Sequence, residues 1–126
     1  MGYVRTLIVD DHEDVRFLIR TIVGDADLPV EVVGEADGVE SALEQLEALR
    51  PDAVVLDARM PRVDGFEAAA LLLERRPGLP IVLCSAHVDD AVRRKAAKAG
   101  IRAVPSKDEF EAIPQTLVDL VRGTPG

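Results

Sequence analysis

Apolar residues in this chain come in two alternating rhythms. Mostly apolar runs of four to six residues span Val4 to Val9, Val30 to Val33, Ala53 to Asp57, Ile81 to Cys84 and Ile101 to Val104. Runs of that length, bounded by turn residues, predict strands buried on both faces. Between them apolar positions recur every three or four residues. Val15, Leu18, Ile19, Ile22 and Val23 mark one face of a helix that Leu28-Pro29 ends. Asp37 with Glu40 three residues later predicts a carboxylate capping box that opens a helix with Leu43, Leu46 and Leu49 inward, closed before Pro51. Asp64-Gly65-Phe66-Glu67 repeats that pattern and starts a helix ending by Pro77-Gly78. Val88, Val92, Ala96 and Ala99 line a further helix stopped at Gly100. The last periodic set is Phe110, Ile113, Leu117, Leu120 and Val121. A proline inside a helix forfeits a backbone hydrogen bond, so Pro114 places a turn over 108–112 and the helix start near position 114.

Five strand–helix units in succession predict an α/β domain: a doubly wound parallel sheet with right-handed crossovers and helices on both faces. The common order for five strands is 2-1-3-4-5, with strands 1, 3 and 4 adjacent and a switch point between strands 1 and 3. Strand 5 is then an edge strand, where Pro105 is tolerated. The strand ends are where chemistry concentrates. Leu7-Ile8-Val9 leads into Asp10-Asp11, Val54-Val55-Leu56 into Asp57, Val82-Leu83-Cys84 into Ser85, and the fifth run into Lys107. With strands about 4.8 Å apart, the carboxylates and Ser85 are expected within about 10 Å at the carboxyl edge of the sheet.

Size and charge narrow the reading. The 126 residues suit one domain, and 48% apolar residues suffice for a packed core. A net charge of −8 argues against the domain binding nucleic acid or an anionic membrane directly. One cysteine builds no disulfide framework and fits a reducing compartment. No apolar stretch approaches a membrane span, and the chain runs into its first strand without a secretory pattern. A cytoplasmic domain is expected.

Carboxylates held this close repel one another unless a cation sits among them. Magnesium suits such a site, since it takes oxygen ligands, keeps several waters and needs few carboxylates. Asp11 and Asp57 are expected to ligate it directly, with the backbone carbonyl of Arg59 as a third protein oxygen and Asp10 reaching it through water. Asp57 could then attack a phosphoryl group as a carboxylate nucleophile. The charge neutralisation that such a transfer needs would come from the metal, Lys107 and the Ser85 hydroxyl.

Asp10-Asp11, Asp57-Ala58-Arg59-Met60-Pro61 with Asp64-Gly65, Ser85-Ala86 and Lys107, in this order at strand ends, resemble a receiver domain of two-component response regulators. The resemblance covers essentially the whole chain: a receiver over 1–122, with 123–126 as a tail or the start of a linker. It implies a flavodoxin-like (βα)5 fold and a signalling phosphoacceptor rather than an enzyme with a substrate of its own. Asp57 is the implied acceptor of phosphate from a phosphohistidine on a sensor histidine kinase or phosphotransfer protein. Ser85 would be drawn toward the phosphoryl oxygens, and the shift read by an attached effector domain, a downstream protein or a homodimer partner. Two positions depart from the family pattern. Val104 stands where an aromatic is usual, and Asp108 follows the lysine where proline is common.

The same residues bear on other readings. A phosphorylation-independent pseudo-receiver, acting as an interaction module, would have lost the aspartate, lysine or acid pair; none is lost, and Val104 keeps this as the alternative. A haloacid-dehalogenase-type phosphatase needs a second aspartate where Arg59 stands. A flavodoxin-like electron carrier would meet repulsion between its phosphate and Asp10-Asp11-His12-Glu13-Asp14. Asp10-Asp11 could cap the first helix as well as bind metal. His12 and His87 read as solvated loop positions, Cys84 as a small buried hydrophobe, and Arg93, Arg94, Lys95 and Lys98 as a solvated helix face.

Overall fold

Apart from the second strand, whose pairing skips Val33, consecutive residues of each strand face opposite sides, and both sides are covered. Leu7, Val9, Val54, Leu56, Ile81 and Leu83 pack under one layer of helices. Val4, Ile8, Ala53, Val55, Val82 and Cys84 pack under the other. This two-sided burial is why the strands read as continuous apolar runs instead of alternating ones. The computed structural model describes residues 2–123. In chain order they form β1 (Val4–Val9), α1 (Glu13–Asp25), β2 (Val30–Ala36), α2 (Val39–Leu49), β3 (Ala53–Asp57), α3 (Gly65–Arg75), β4 (Ile81–Cys84), α4 (Asp90–Lys98), a 3-10 turn (Lys107–Ala112) and α5 (Ile113–Arg122). Of the tail expected at 123–126, all but Gly123 lies outside the described residues.

The sheet is parallel in the order β2-β1-β3-β4. Ala42, Leu46, Ala68, Ala69, Leu72 and Ala96 bring α2, α3 and α4 onto one face. Ile19, Val23, Ile113 and Leu117 bring α1 and α5 onto the other. Among the described residues no helix is long and apolar enough to cross a membrane.

Among the described residues the sheet has four strands, not the five expected. The segment from Ile101 lies along β4 but makes only an isolated bridge, Val82 to Ala103. Two backbone hydrogen bonds hold it there: Leu83 N–H to Ala103 O at 2.9 Å and Arg102 N–H to Ile81 O at 3.1 Å. Gly100, at φ 85°, turns the chain into this segment. Pro105 then has no N–H to continue the ladder. Between the two, the pairing with β4 stops at that one bridge.

Helix starts also divide. Asp64 caps α3, accepting from Glu67 N–H at 2.9 Å, as its spacing predicts. The capping box expected of Asp37 and Glu40 does not form: Gly38 is the capping residue of α2 and no side chain caps it. Asp37 therefore sits one residue too early. Nor do Asp10 and Asp11 cap α1, whose capping residue is His12. The 3-10 turn and the start of α5 with Pro114 in its first turn match the expected break.

Candidate functional site

Register sets the site. Val9 pairs with Leu56 and Asp57 with Cys84, so Asp10 comes level with Asp57 in the middle of the sheet, and Ser85 lies one residue beyond. A cavity of about 180 Å³ opens over these ends, and Asp10, Asp57, Ser85 and Lys107 all line it. Cys84 and Phe110 supply part of its apolar wall. Asp11 faces a neighbouring hollow with Asp37, Glu40 and Met60. Side-chain ligand atoms of Asp10, Asp11, His12 and Asp57 nevertheless lie within 4.8 Å of one another.

His12 belongs to this cluster, contrary to its expected place as an isolated loop residue. Its Nδ1 stands 3.0 Å from Asp11 Oδ1 and 3.3 Å from Asp10 Oδ1, although the ring is exposed. The signal was its position directly after Asp10-Asp11. Spacing rules for metal ligands miss a neighbour that reaches its partners by folding back along the loop. The two nearby carboxylates raise the His12 pKa, the Asp10 hydrogen bond most of all.

Asp10 is buried, 3% exposed, and burial pushes its pKa up. Its Oδ1 accepts the His12 N–H at 2.8 Å, which works in the other direction. Asp57 is pushed up from 3.8 to about 6, chiefly by burial and then by the charges of Asp10 and Asp11. The Arg59 N–H, 3.2 Å from Asp57 Oδ1, partly offsets this. Asp11 Oδ1 is the odd atom: buried, and without a hydrogen bond despite the nearby imidazole, whose approach lacks hydrogen-bond geometry. A buried carboxylate oxygen with no donor, next to two more carboxylates, is what an oxygen-seeking cation requires. The residues fit magnesium.

A raised carboxylate pKa in the folded state has a definite sign for stability. The contribution of Asp57 is most favourable below its unfolded pKa of 3.8 and is lost as pH rises through about 6. The full shift corresponds to at most about 3 kcal/mol, and solvent screening of this partly exposed group leaves about 1–2. In metal-free buffer Asp57→Asn should therefore stabilise the domain by about 1–2 kcal/mol at pH 8 and by almost nothing at pH 4. Urea unfolding at the two pH values measures this, and an equal effect at both would refute it.

The remaining predicted residues fall as follows. Ser85 lines the cavity, but its hydroxyl donates to His87 O at 2.9 Å and accepts from His87 N–H at 3.3 Å. Lys107 is exposed at the head of the 3-10 turn, on the same cavity wall. Among the described residues no carboxylate stands within ion-pair distance of it. Arg59 lines the cavity and is exposed; His87 pairs with Asp89 at 3.1 Å, away from the carboxylates. Cys84 is buried, and burial pushes its thiol up to about 12, so it behaves as a small hydrophobe. Arg93, Arg94, Lys95 and Lys98 are exposed on α4. Lys95 lies 4.3 Å over the Phe66 ring, so one of the four is a packing contact as well as a solvated charge.

A doubly wound parallel sheet with an acid cluster at its switch point, and a hydroxyl and an ammonium at the neighbouring ends, is the frame of a signalling receiver. The chain belongs to the response regulator receiver domain family, whose model matches residues 6–118. It is 36% identical over 115 residues to the chemotaxis protein CheY of Listeria monocytogenes, covering 87% of this chain and 95% of that one. It is 38% identical over 105 residues to the DNA-binding transcriptional activator DevR/DosR of Mycobacterium tuberculosis, covering 83% of this chain and 48% of that protein. The chain thus spans about half the length of that relative and of the response regulator GacA of Pseudomonas viridiflava. Among solved structures, the receiver domain of the response regulator NarL from Mycobacterium tuberculosis superposes with a TM-score of 0.87 at 32% identity, covering 98% of this chain and all of that one. The family places the chain in two-component phosphorelay signalling.

Proposed function

We propose that Asp57 is the phosphoacceptor. A carboxylate oxygen of Asp57 attacks the phosphorus of a phosphohistidine on a sensor histidine kinase or phosphotransfer protein. The P–N bond breaks, an acyl phosphate forms, and the leaving imidazole recovers a proton from solvent. The observation that carries this reading is the register: Asp57 lies level with the acid pair and opens onto the cavity that Ser85 and Lys107 also line.

Asp11, Asp57 and the Arg59 carbonyl would hold Mg²⁺, with Asp10 acting through water. When bound, it neutralises the carboxylates and the charge on the transferring group. The ammonium of Lys107, unpaired at rest, is available to a phosphoryl oxygen, and the Ser85 hydroxyl to another once it leaves the His87 carbonyl. Withdrawal of that hydroxyl loosens the turn that leads into α4. The output is read by an effector domain, such as the DNA-binding part of the longer relatives, by a separate protein or by a second copy of the domain. These steps take place in the cytoplasm.

Incubation with acetyl phosphate and magnesium, followed by peptide mass spectrometry after reductive trapping, locates the acceptor. The label should fall on Asp57 and disappear in EDTA. A label elsewhere, or one of equal yield in EDTA, would overturn the acceptor or the metal assignment respectively.

A further inference from the structure

The structure assigns to Arg16 the task of holding the backbone from which the acid pair projects. This inference rests on the reading that Asp10, Asp11 and Asp57 hold magnesium. Arg16 sits one turn into α1, and helical side chains lean back toward the N-terminus of their helix. Its guanidinium therefore reaches the loop that precedes it. Nη1 donates to the main-chain oxygen of Asp10 at 2.6 Å, Nη2 to Glu13 at 2.5 Å and Nε to Glu35 at 3.2 Å. The side chain is only 15% exposed. Glu35, on β2, also pairs with Arg20.

Each of these contacts has a separate consequence. Glu13 and Glu35 lie outside the carboxylate cluster, and they fix the plane of the guanidinium from α1 and from β2. The remaining donor then meets the carbonyl of the Asp10–Asp11 peptide. A peptide is planar, so fixing its oxygen fixes the direction in which the chain enters the Asp11 α-carbon. The Asp10 carboxylate is tied separately by the His12 N–H. Asp11 Oδ1 has no hydrogen-bond partner, so the backbone is what positions it. Arg16 is thus a positioning residue: it touches none of the carboxylates that would meet the cation.

Charge and position predict opposite signs here, which makes the inference testable. Removing a guanidinium near a dication site relieves repulsion and should tighten the binding of Mg²⁺. Losing the brace on the Asp10–Asp11 peptide should weaken it, as loss of an outer partner of a metal ligand commonly does by about 10-fold or more. Magnesium chloride is titrated by calorimetry into the wild type, Arg16→Ala, Arg16→Lys and Arg20→Ala, with urea unfolding in EDTA run alongside. Arg16→Ala should bind Mg²⁺ about 10-fold more weakly. Arg16→Lys should fall about threefold or more, since one ammonium cannot serve three acceptors in a fixed plane. Arg20→Ala, which breaks the Glu35 network without touching Asp10, should bind within about twofold of wild type. If Arg16→Ala is unfolded, Arg16→Lys decides the matter on the same scale. Unchanged or tighter binding by the folded Arg16 variants, or an equal loss in Arg20→Ala, would overturn the inference. Failure of the wild type itself to bind magnesium would fell the metal reading, and this inference with it.

Discussion

Asp57→Asn should accept no phosphoryl group from acetyl phosphate or from a phosphorylated kinase, a loss of at least about a thousandfold. The amide is nearly the same size as the carboxylate, so packing changes little, while the nucleophilic oxygen is gone. The electrostatic environment points the same way. Burial, and then two neighbouring carboxylates, raise the energy of ionised Asp57, and its neutral replacement relieves that penalty. The variant should therefore be as stable as the wild type or more so at neutral pH, and inactivity cannot be blamed on unfolding. Autoradiography or mass measurement of both proteins after identical exposure provides the test. Labelling of Asp57→Asn at more than a few per cent of the wild-type level would show that another group is the acceptor.

Gly65→Ala should be the most damaging single methyl group in the domain. A Cβ at Gly65 would lie 2.4 Å from the Asp57 carbonyl oxygen, 2.7 Å from the Ala58 α-carbon and 2.8 Å from Leu83 Cδ1. Two of the three neighbours are backbone and cannot rotate away. The Gly65 N–H also donates to Ala58 O at 3.0 Å, so α3 cannot retreat without breaking that bond. A cost of about 3 kcal/mol or more is expected, a large part of the about 5–15 that holds a domain together. Gly24→Ala is the natural control: it lies in α1 with open space around it, and the exchange should stabilise by about 0.5–1 kcal/mol. Urea unfolding of the two variants compares them directly. A loss below about 1 kcal/mol at Gly65 would show that the loop after Asp57 yields more readily than its contacts indicate.

The strands and their functional ends were legible because a buried parallel strand leaves a continuous apolar run, and polar residues at its carboxyl end stand out against it. Asp10, Asp57 and Ser85 could be placed by counting along such runs, since parallel pairing converts a strand-end position directly into a neighbour. Lys107 was less determined. It follows a segment paired by one bridge, so its reach depends on a 3-10 turn that no periodicity encodes. Asp64 and Asp37 share one local pattern, yet only Asp64 caps a helix; the glycine after Asp37 takes the capping place, and a pattern of residue types does not register a shift of one position. His12 and Arg16 were missed for a common reason. Both act on the Asp10-Asp11 loop through the length and direction of their side chains, and Arg16, in α1, is held in place by Glu35, nineteen residues away on β2.

The bond between the Ser85 hydroxyl and the His87 carbonyl also has a bearing on the protein at rest. A neutral hydrogen bond of this kind is worth about 1 kcal/mol net. At equilibrium about one molecule in six then carries the hydroxyl released, with no phosphoryl group present. A partner that recognises only the released form would meet it in that fraction of unmodified molecules, and full modification could raise its apparent affinity through this bond by no more than about sixfold. Through this one bond the proposed switch would work as a dimmer with a measurable floor, and any steeper response would have to come from other contacts.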